Sequence, residues 1–274
     1  MELKFGEKTL IMGIINVTPD SFYDGGRNFN KDTAIKRIFE LCEQGADIID
    51  IGGESTRPGA DELSLEEELD RVCPVIEAVA KNTDKPISID TYKSQVAEEA
   101  LKLGATIVND ISGLNFDEKM ASVASRYNPY LILMHIKGTP KNMQTDPNYD
   151  DLLGEIRNYL EDSSRKALDS GIDRKKIIID PGIGFGKTLE DNYRIINNIS
   201  FFKQLGFPLL IGLSRKSLIG KLYEKDNDRL FGTIALNSIS ALYGADIIRV
   251  HDVKEHYLAL KTVEMLKGIR AIDE

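Results

Sequence analysis

Eight short runs rich in isoleucine, valine and leucine recur along this 274-residue chain, and each ends in residues that could bind or polarise a ligand. These end residues are Asn16, Gly52-Gly53-Glu54, Asp90, Asn109-Asp110, His135, Asp180, Ser214-Arg215-Lys216 and Arg249-Val250-His251. A carboxylate or an amide at the end of a buried strand loses its hydration unless it is paired. A single such residue could be a structural ion pair, whereas the repetition indicates one site, provided that the fold brings the ends of the runs together.

The runs themselves predict the fold. They span residues 9–16, 47–52, 86–90, 106–112, 130–135, 176–181, 208–214 and 246–251. Most are continuously apolar, which is typical of parallel strands buried on both faces. Amphipathic helices are predicted where apolar residues lie three and four positions apart, as in residues 31–44, 64–82 and 150–170. Eight strand–helix units predict an α/β fold, a (β/α)8 TIM barrel that forms a single domain over residues 1–274.

The barrel explains why the polar ends would meet, because active sites of this fold lie at the carboxyl ends of its strands. An open doubly wound sheet is the alternative architecture. Two long loops, residues 18–30 and 52–64, follow the first two runs and are rich in glycine and polar residues. We predict that they are lids that close over a substrate, and that Phe22, Arg57 and Pro58 are their functional side chains.

Composition excludes several classes of partner. Hydrophobic residues make up 42% of the chain and charged residues 29%, and the net charge of −9 argues against a nucleic-acid-binding surface. No basic amphipathic stretch indicates a membrane surface, and the absence of a signal sequence predicts a cytoplasmic protein. The two cysteines, Cys42 and Cys73, are expected to be reduced structural thiols in helices.

Two common cofactor motifs are rejected. Residues 182–188 (GIGFGKT) end like a phosphate-binding loop, but Pro181 stands where the first glycine is required. The same segment fails the dinucleotide pattern because Lys187 occupies the last glycine position. The three histidines are His135, His251 and His256, and without an HxH or HExxH pair a histidine-bound catalytic zinc is not expected.

Longer motifs at these positions resemble the dihydropteroate synthase family. The first two are Asn16-Val17-Thr18-Pro19-Asp20-Ser21-Phe22, followed by Asp24-Gly25-Gly26, and Gly53-Glu54-Ser55-Thr56-Arg57-Pro58-Gly59. The others are Ser88-Ile89-Asp90-Thr91, Val108-Asn109-Asp110-Ile111, Met134-His135, Asp180 to Lys187, Ser214-Arg215-Lys216-Ser217 and Arg249 to Val253. One motif alone would be weak, but eight in the family's order, across residues 12 to 256, are specific.

The resemblance implies a barrel enzyme that couples 6-hydroxymethyl-7,8-dihydropterin diphosphate with p-aminobenzoate, releasing pyrophosphate. It implies a pterin pocket of Asp90, Asn109, Met134, Asp180 and Lys216, and diphosphate contacts from Thr56, Arg249 and His251. The p-aminobenzoate would lie against Phe22, Pro58, Phe185 and Ser217. Mg2+ would bind Asn16, and the catalytic roles would fall to Asp20, Arg57, Lys216, Arg249 and His251.

The resemblance also implies small-molecule substrates and a homodimer. Two other functions stay open at this point. A pterin-binding methyltransferase domain shares the barrel and the pterin-edge residues, but it has neither lid motif. A non-catalytic pterin-binding paralogue would have lost site residues, whereas every matched position here carries the family's residue type.

Overall fold

The computed structural model describes residues 2–18, 23–24, 28–29, 31–223 and 228–273, and it contains one eight-stranded parallel sheet. The strands are β1 Leu10–Asn16, β2 Ile48–Gly52, β3 Ile87–Asp90, β4 Ile107–Asp110, β5 Tyr130–Met134, β6 Ile177–Asp180, β7 Leu210–Ile211 and β8 Ile247–Val250. Neighbours in the sheet follow the order β6-β5-β4-β3-β2-β1-β8-β7. A parallel bridge between Ile179 and Leu209 brings the two edges together, so the predicted barrel is confirmed and nearly closed.

Helices cover the outside of the barrel and alternate with the strands, as predicted. They are α1 Lys31–Glu43, α2 Leu65–Ala80, α3 Ser94–Lys102, α4 Met120–Tyr127, α5 Leu152–Asp169, α6 Leu189–Asn197, α7 Ile199–Lys203, α8 Ser217–Gly220, α9 Arg229–Leu242 and α10 Val253–Asp273. Ser64 begins α2 with a capping box to Glu67, because each side chain accepts a hydrogen bond from the other residue's backbone N–H. The three predicted helical segments agree with α1, α2 and α5.

The seventh strand differs from its prediction. The apolar run at residues 208–214 predicts a long strand, but β7 contains only Leu210–Ile211. Both of its residues pair with β8, and the chain then leaves the sheet. Arg215 has a φ of 58°, a left-handed conformation that no strand residue adopts, and α8 begins two residues later. The apolar run therefore ends in a loop that carries Arg215 and Lys216 towards the mouth of the barrel.

The apolar core has two main parts, and a small third cluster lies above the barrel interior. A large cluster lies between the sheet and the helices, and a smaller one fills the barrel interior with Leu10, Met12, Ile48, Ile107, Tyr130, Ile132, Ile178, Leu210 and Ile247. The interior cluster fills the barrel. A ligand can therefore bind only above these side chains, at the carboxyl ends of the strands. Cys42 and Cys73 are free, half-buried thiols of α1 and α2. Within the described part of the chain no helix is long and apolar enough to cross a membrane.

Candidate active site

The site is a layer of side chains directly above the apolar interior cluster. Successive side chains of a strand point to opposite faces, so a residue two positions after an interior residue also points inwards. Each of five interior or buried residues is followed in this way by a residue of the site. The pairs are Ile48 and Asp50, Ser88 and Asp90, Ile107 and Asn109, Ile178 and Asp180, and Ile247 and Arg249. We call these second members, with Met134 two residues after Ile132, the upper layer.

Arg249 lies at the centre of the upper layer, between two carboxylates. Its Nε lies 2.6 Å from Oδ2 of Asp50, and its Nη2 lies 2.5 Å from Oδ2 of Asp90. Burial opposes the charge of Arg249, but Asp50 and Asp90 raise the pKa of its guanidinium above the ordinary value. Burial also raises the pKa of the Asp90 carboxyl to about 7, against the lowering effect of Arg249. The arginine is therefore a fixed cation.

Each of these two carboxylates has one oxygen without a partner. Oδ1 of Asp50 and Oδ1 of Asp90 are buried and have no hydrogen-bond partner within the described residues. The Asp50 side chain is fully buried, and that of Asp90 is 10% exposed. A buried acceptor without a donor costs about 1–3 kcal/mol, so such atoms usually face a ligand or water. The site therefore has acceptors available for the N–H groups of a polar ligand.

Asp180 of the upper layer and Lys216 of the loop after β7 form the opposite side of the site. Oδ1 of Asp180 accepts a 2.7 Å hydrogen bond from the backbone N–H of Gly182, and burial raises the pKa of this carboxyl. Lys216 donates to the carbonyl of Ile183, and its Nζ lies 4.6 Å from the centre of the Phe185 ring. Burial lowers the pKa of Lys216 to about 8, although Asp180 opposes the shift. A carboxylate, an amine and an aromatic face thus meet in one pocket.

The remaining predicted pterin residues complete this pocket. Met134 and Asn109 are buried, with 4% of each exposed. Nδ2 of Asn109 donates to Oδ2 of Asp50 over 3.4 Å. Met134 packs with Ile111, Ile136 and Met143 in an apolar cluster that Phe185 also contacts. The pocket therefore combines an apolar wall with a row of hydrogen-bonding groups, the usual composition of a small-molecule site.

His251 is held as a neutral ring at the edge of the site. Its backbone N–H donates to Oγ of Ser214 over 3.2 Å, and its Nδ1 lies 3.0 Å from the same oxygen. Burial, and then the nearby Arg215 and Arg249, lower the pKa of His251 to about 3. In the tautomer that carries its hydrogen on Nε2, the ring accepts a hydrogen bond at Nδ1 from the serine hydroxyl. His251 can therefore donate one directed hydrogen bond to an anion.

Two of the polar residues at the ends of runs lie outside the site. His135 and Asp110 each follow an upper-layer residue directly and therefore face away from the interior. Nδ1 of His135 lies 2.9 Å from Nζ of Lys187, and its ring packs at 4.8 Å from Tyr159 of α5. Asp110 accepts hydrogen bonds from Ser112 and from the backbone of Leu114. The interpretation of all run ends as one site is therefore wrong for these two residues.

The loop residues surround the rim. Asn16 is half-buried at the last position of β1, in register with Gly52. Thr56 is half-buried, whereas Arg57 and Pro58 are exposed. Ser217 is exposed at the start of α8, which has only four residues, so its dipole supports an anion site less than a full helix would. The predicted lid residues Asp20 and Phe22 lie outside the described residues.

Asp50 was missed by the analysis of the run ends because it lies inside the second run. The alternation of side chains could have found it, since Asp50 is the only charged residue among Ile48–Gly52 and lies two positions before Gly52. A fully buried carboxylate in a strand of isoleucines needs a cationic partner. The structure identifies this partner as Arg249.

Comparison with known proteins agrees with this geometry. A family model described as "Pterin binding enzyme" matches residues 12–251. The dihydropteroate synthase of Bacillus subtilis is 48% identical over 254 residues, which cover 92% of this chain and 87% of that protein. The dihydropteroate synthase of Clostridium difficile, solved in the presence of pteroic acid, is 46% identical with a TM-score of 0.91, and the match covers 96% of this chain and 98% of that one.

A third relative has been solved with a smaller ligand. The dihydropteroate synthase of Xanthomonas albilineans with 4-aminobenzoic acid is 39% identical, with a TM-score of 0.89, and the match covers 95% of this chain and 93% of that one. Both the family model and the relatives cover nearly the whole chain. The chain therefore belongs to the pterin-binding enzymes and, among them, to the dihydropteroate synthase family.

Proposed function

We propose that this protein, as one catalytic barrel spanning residues 1–274, condenses 6-hydroxymethyl-7,8-dihydropterin diphosphate with p-aminobenzoate to give 7,8-dihydropteroate and pyrophosphate. The observation that carries the proposal is the upper layer, in which buried carboxylate oxygens that have no partner in the described part of the chain lie beside a fixed arginine and an aromatic wall. Relatives of the same family have been solved with pteroic acid and with 4-aminobenzoic acid, which supports both substrates.

In this proposal the pterin ring binds in the upper layer. Its amino-pyrimidinone edge presents a row of donors and acceptors, and a carboxylate can accept two hydrogen bonds from neighbouring N–H groups. Asp180, Asn109 and Asp90 supply such partners from three different strands, which holds the ring in one orientation. Lys216 lies beside Asp180 and can donate to the ring's carbonyl side. Met134 covers one face of the ring with apolar surface.

The diphosphate then lies at the rim, where positive charge and directed donors are available. Arg249 supplies a cation whose position Asp50 and Asp90 hold, and His251 supplies the Nε2 hydrogen. Thr56 adds a hydroxyl from the second loop. These groups stabilise negative charge as it develops on the leaving pyrophosphate.

The donor set also fits Mg2+ as the metal. The described residues contain no cluster of three His, Cys, Asp or Glu side chains that could hold a metal by themselves. Mg2+ rarely needs such a cage, because it usually binds one or two protein oxygens together with water and substrate phosphates. Asn16, at the rim, would supply a protein oxygen. When bound, the metal would neutralise part of the diphosphate charge.

The p-aminobenzoate is placed between the pterin and the loops. Phe185 and the stem of Lys216 offer an apolar wall, and Pro58 and Phe22 would close the pocket from the second and first loops. The carboxylate would lie near Ser217. This arrangement brings the amine of p-aminobenzoate towards the methylene carbon of the pterin.

The reaction needs no strong base, because an aromatic amine is neutral at physiological pH and its lone pair is free. The difficult event is the departure of pyrophosphate, and we propose an SN1-like route in which the electron-rich pterin stabilises the positive charge left on the methylene. Asp20, on the first loop, would stabilise this charge or orient the amine, and the closed loops, one of which carries Arg57, would exclude water. The carbon–oxygen bond breaks, the carbon–nitrogen bond forms, and the amine proton is lost to solvent.

We predict that the purified protein releases pyrophosphate only when both organic substrates and Mg2+ are present. Each component is omitted in turn in a coupled pyrophosphate assay, and a chelator with and without added Mg2+ serves as the metal control. Release without p-aminobenzoate would indicate hydrolysis, and undiminished release with the chelator would contradict the role given to the metal.

We also propose that the protein is a homodimer joined through α9 and α10. These helices pack together and expose large apolar side chains, among them Phe231 (68% exposed), Met265 (69%), Leu258 (56%) and Leu266 (50%). Leu258, Met265 and Leu266 lie seven and eight positions apart on α10 and therefore share one face of that helix, and exposed apolar side chains of this kind are typical of a protein–protein interface.

Sedimentation velocity tests this interface. We expect a dimer at micromolar concentration, and the Phe231→Asp variant should shift it towards monomer because a carboxylate would be buried without a partner. Leu168→Asp, on α5 and away from this face, is the matched control. A wild-type monomer, or a Phe231→Asp variant that remains a dimer, would remove the proposal.

A further inference from the structure

One lysine holds three separate points of the chain next to the second loop. Nζ of Lys93 donates to Oε2 of Glu68 over 2.7 Å and to the carbonyl of Leu63 over 2.7 Å, and it also contacts Oε2 of Glu54. The lysine side chain is 14% exposed, that of Glu54 8% and that of Glu68 1%. An ammonium group has three donors, and here all three have acceptors.

The positions of these acceptors show which part of the chain Lys93 holds together. Glu54 lies two residues after the end of β2, and Leu63 directly precedes Ser64, the N-cap of α2, so the two residues lie near the beginning and the end of the second loop. Glu68 lies in the first turn of α2. Lys93 itself precedes α3, on the neighbouring strand–helix unit. A single ammonium group therefore closes the base of the loop that carries Thr56, Arg57 and Pro58.

Further contacts support the same base. The hydroxyl of Tyr92 donates to Oε1 of Glu54 over 2.8 Å, and Nη1 of Arg71 donates to the carbonyl of Gly53 over 2.9 Å. The outer part of the loop has two exposed contacts, a 3.0 Å backbone hydrogen bond from Gly59 to Pro140 and a 3.2 Å ion pair between Asp61 and Lys141. The base is thus held by buried charged groups, while the tip is exposed, which is the arrangement expected of a lid that moves about a fixed hinge.

We propose that Lys93 is a positioning residue for the second substrate, because it fixes the base of the loop that covers the p-aminobenzoate pocket. The inference rests on the proposed function for the identity of that substrate. Lys93 touches neither substrate in this account. Asp180, Asn109 and Asp90 lie on strands, so the pterin pocket keeps its shape when the loop base is released. Loss of the lysine should therefore affect the two substrates unequally.

The test compares Lys93→Gln with a substitution of Lys102, the last residue of the helix α3 that Lys93 precedes. Lys102→Gln removes an exposed lysine that pairs with Glu98 and Glu99 on α3, and it should leave both substrates within about twofold of wild type. In Lys93→Gln we expect KM for p-aminobenzoate to rise about tenfold, the size of effect that a small displacement of a binding loop produces. Binding of the pterin diphosphate, measured alone by titration calorimetry, should stay within about twofold of wild type.

Two further measurements separate positioning from general destabilisation. Hydrogen exchange should become faster in residues 54–63 of Lys93→Gln and remain unchanged in β3 and β4. Lys93→Arg, which keeps the charge, should restore KM at least in part. If Lys93→Gln does not fold, Glu68→Gln removes the negative charge of one of the three acceptors and should show the same pattern with a smaller rise in KM.

An equal loss of affinity for p-aminobenzoate and for the pterin diphosphate would overturn the proposal. An unchanged KM for p-aminobenzoate together with unchanged hydrogen exchange in residues 54–63 would also overturn it. A wild-type protein that binds pterin but never turns over would instead refute the proposed function. Exchange in residues 54–63 would then still decide whether Lys93 holds the loop, so the two failures are distinguishable.

Discussion

Replacing Asp180 with asparagine is expected to lower kcat/KM for the pterin diphosphate by about 10³-fold, because a site built to accept hydrogen bonds from a substrate tolerates a mismatched donor poorly. The amide would present an N–H group towards the amino edge of the pterin, where the carboxylate had an acceptor. Its oxygen can still accept the 2.7 Å hydrogen bond from Gly182, so the turn after β6 should persist.

The same substitution should leave the fold intact. Asp180 is 6% exposed and its carboxyl pKa is raised by burial, so removing the charge relieves desolvation and should not lower the melting temperature. Steady-state kinetics and thermal denaturation are measured together, with Asp162→Asn on the exposed face of α5 as the control. Wild-type kinetics in Asp180→Asn would break the assignment of the pterin edge.

The second large effect is expected from Arg249→Met, which leaves Asp50 and Asp90 without their cation. Removing one partner of a buried ion pair lowers the free energy of unfolding by about 3–5 kcal/mol. Because the arginine side chain is 20% exposed, we expect a loss at the lower end of this range. Turnover should also fall by about 10²-fold or more, because a donor to the leaving group is lost. Urea denaturation and pyrophosphate release measure the two losses.

A second substitution distinguishes this account from simple misfolding. Adding Asp50→Asn to Arg249→Met removes one of the two carboxylate charges left without a cation, so the double variant should regain part of the stability but none of the activity. Arg165→Met is the control, because it removes a 64% exposed arginine that pairs with Asp162 on α5. A double variant less stable than Arg249→Met would show that Asp50 is not held in place by the arginine.

The architecture could be predicted from the sequence because the parallel strands are continuously apolar and the crossover helices are amphipathic. The carboxyl-end rule for barrels then placed the site. The rule does not say which of two adjacent residues faces inwards. Asn109 and Asp110 end the same run, yet only Asn109 lies in the upper layer, because the alternation of side chains decides it. The same alternation directs the side chain of His135 away from the upper layer and that of Asp50 into it.

The sequence alone does not predict which side chains of distant strands form ion pairs. The resemblance gave Arg249 a role at the diphosphate, but the ion pairs from β8 to β2 and β3 depend on the curvature of the closed sheet. The contacts of Lys93 with Glu54 and Glu68 also join residues from different strand–helix units. The roles of Asp20 and Phe22 stay predictions, since both lie outside the described residues.

The most direct test quantifies 7,8-dihydropteroate and pyrophosphate in the same reaction, with the pterin diphosphate, p-aminobenzoate and Mg2+ supplied to the purified protein. We expect one pyrophosphate for each dihydropteroate, and neither product when either organic substrate is omitted. Tight pterin binding without either product would contradict the synthase function and favour a methyltransferase or a non-catalytic pterin-binding protein.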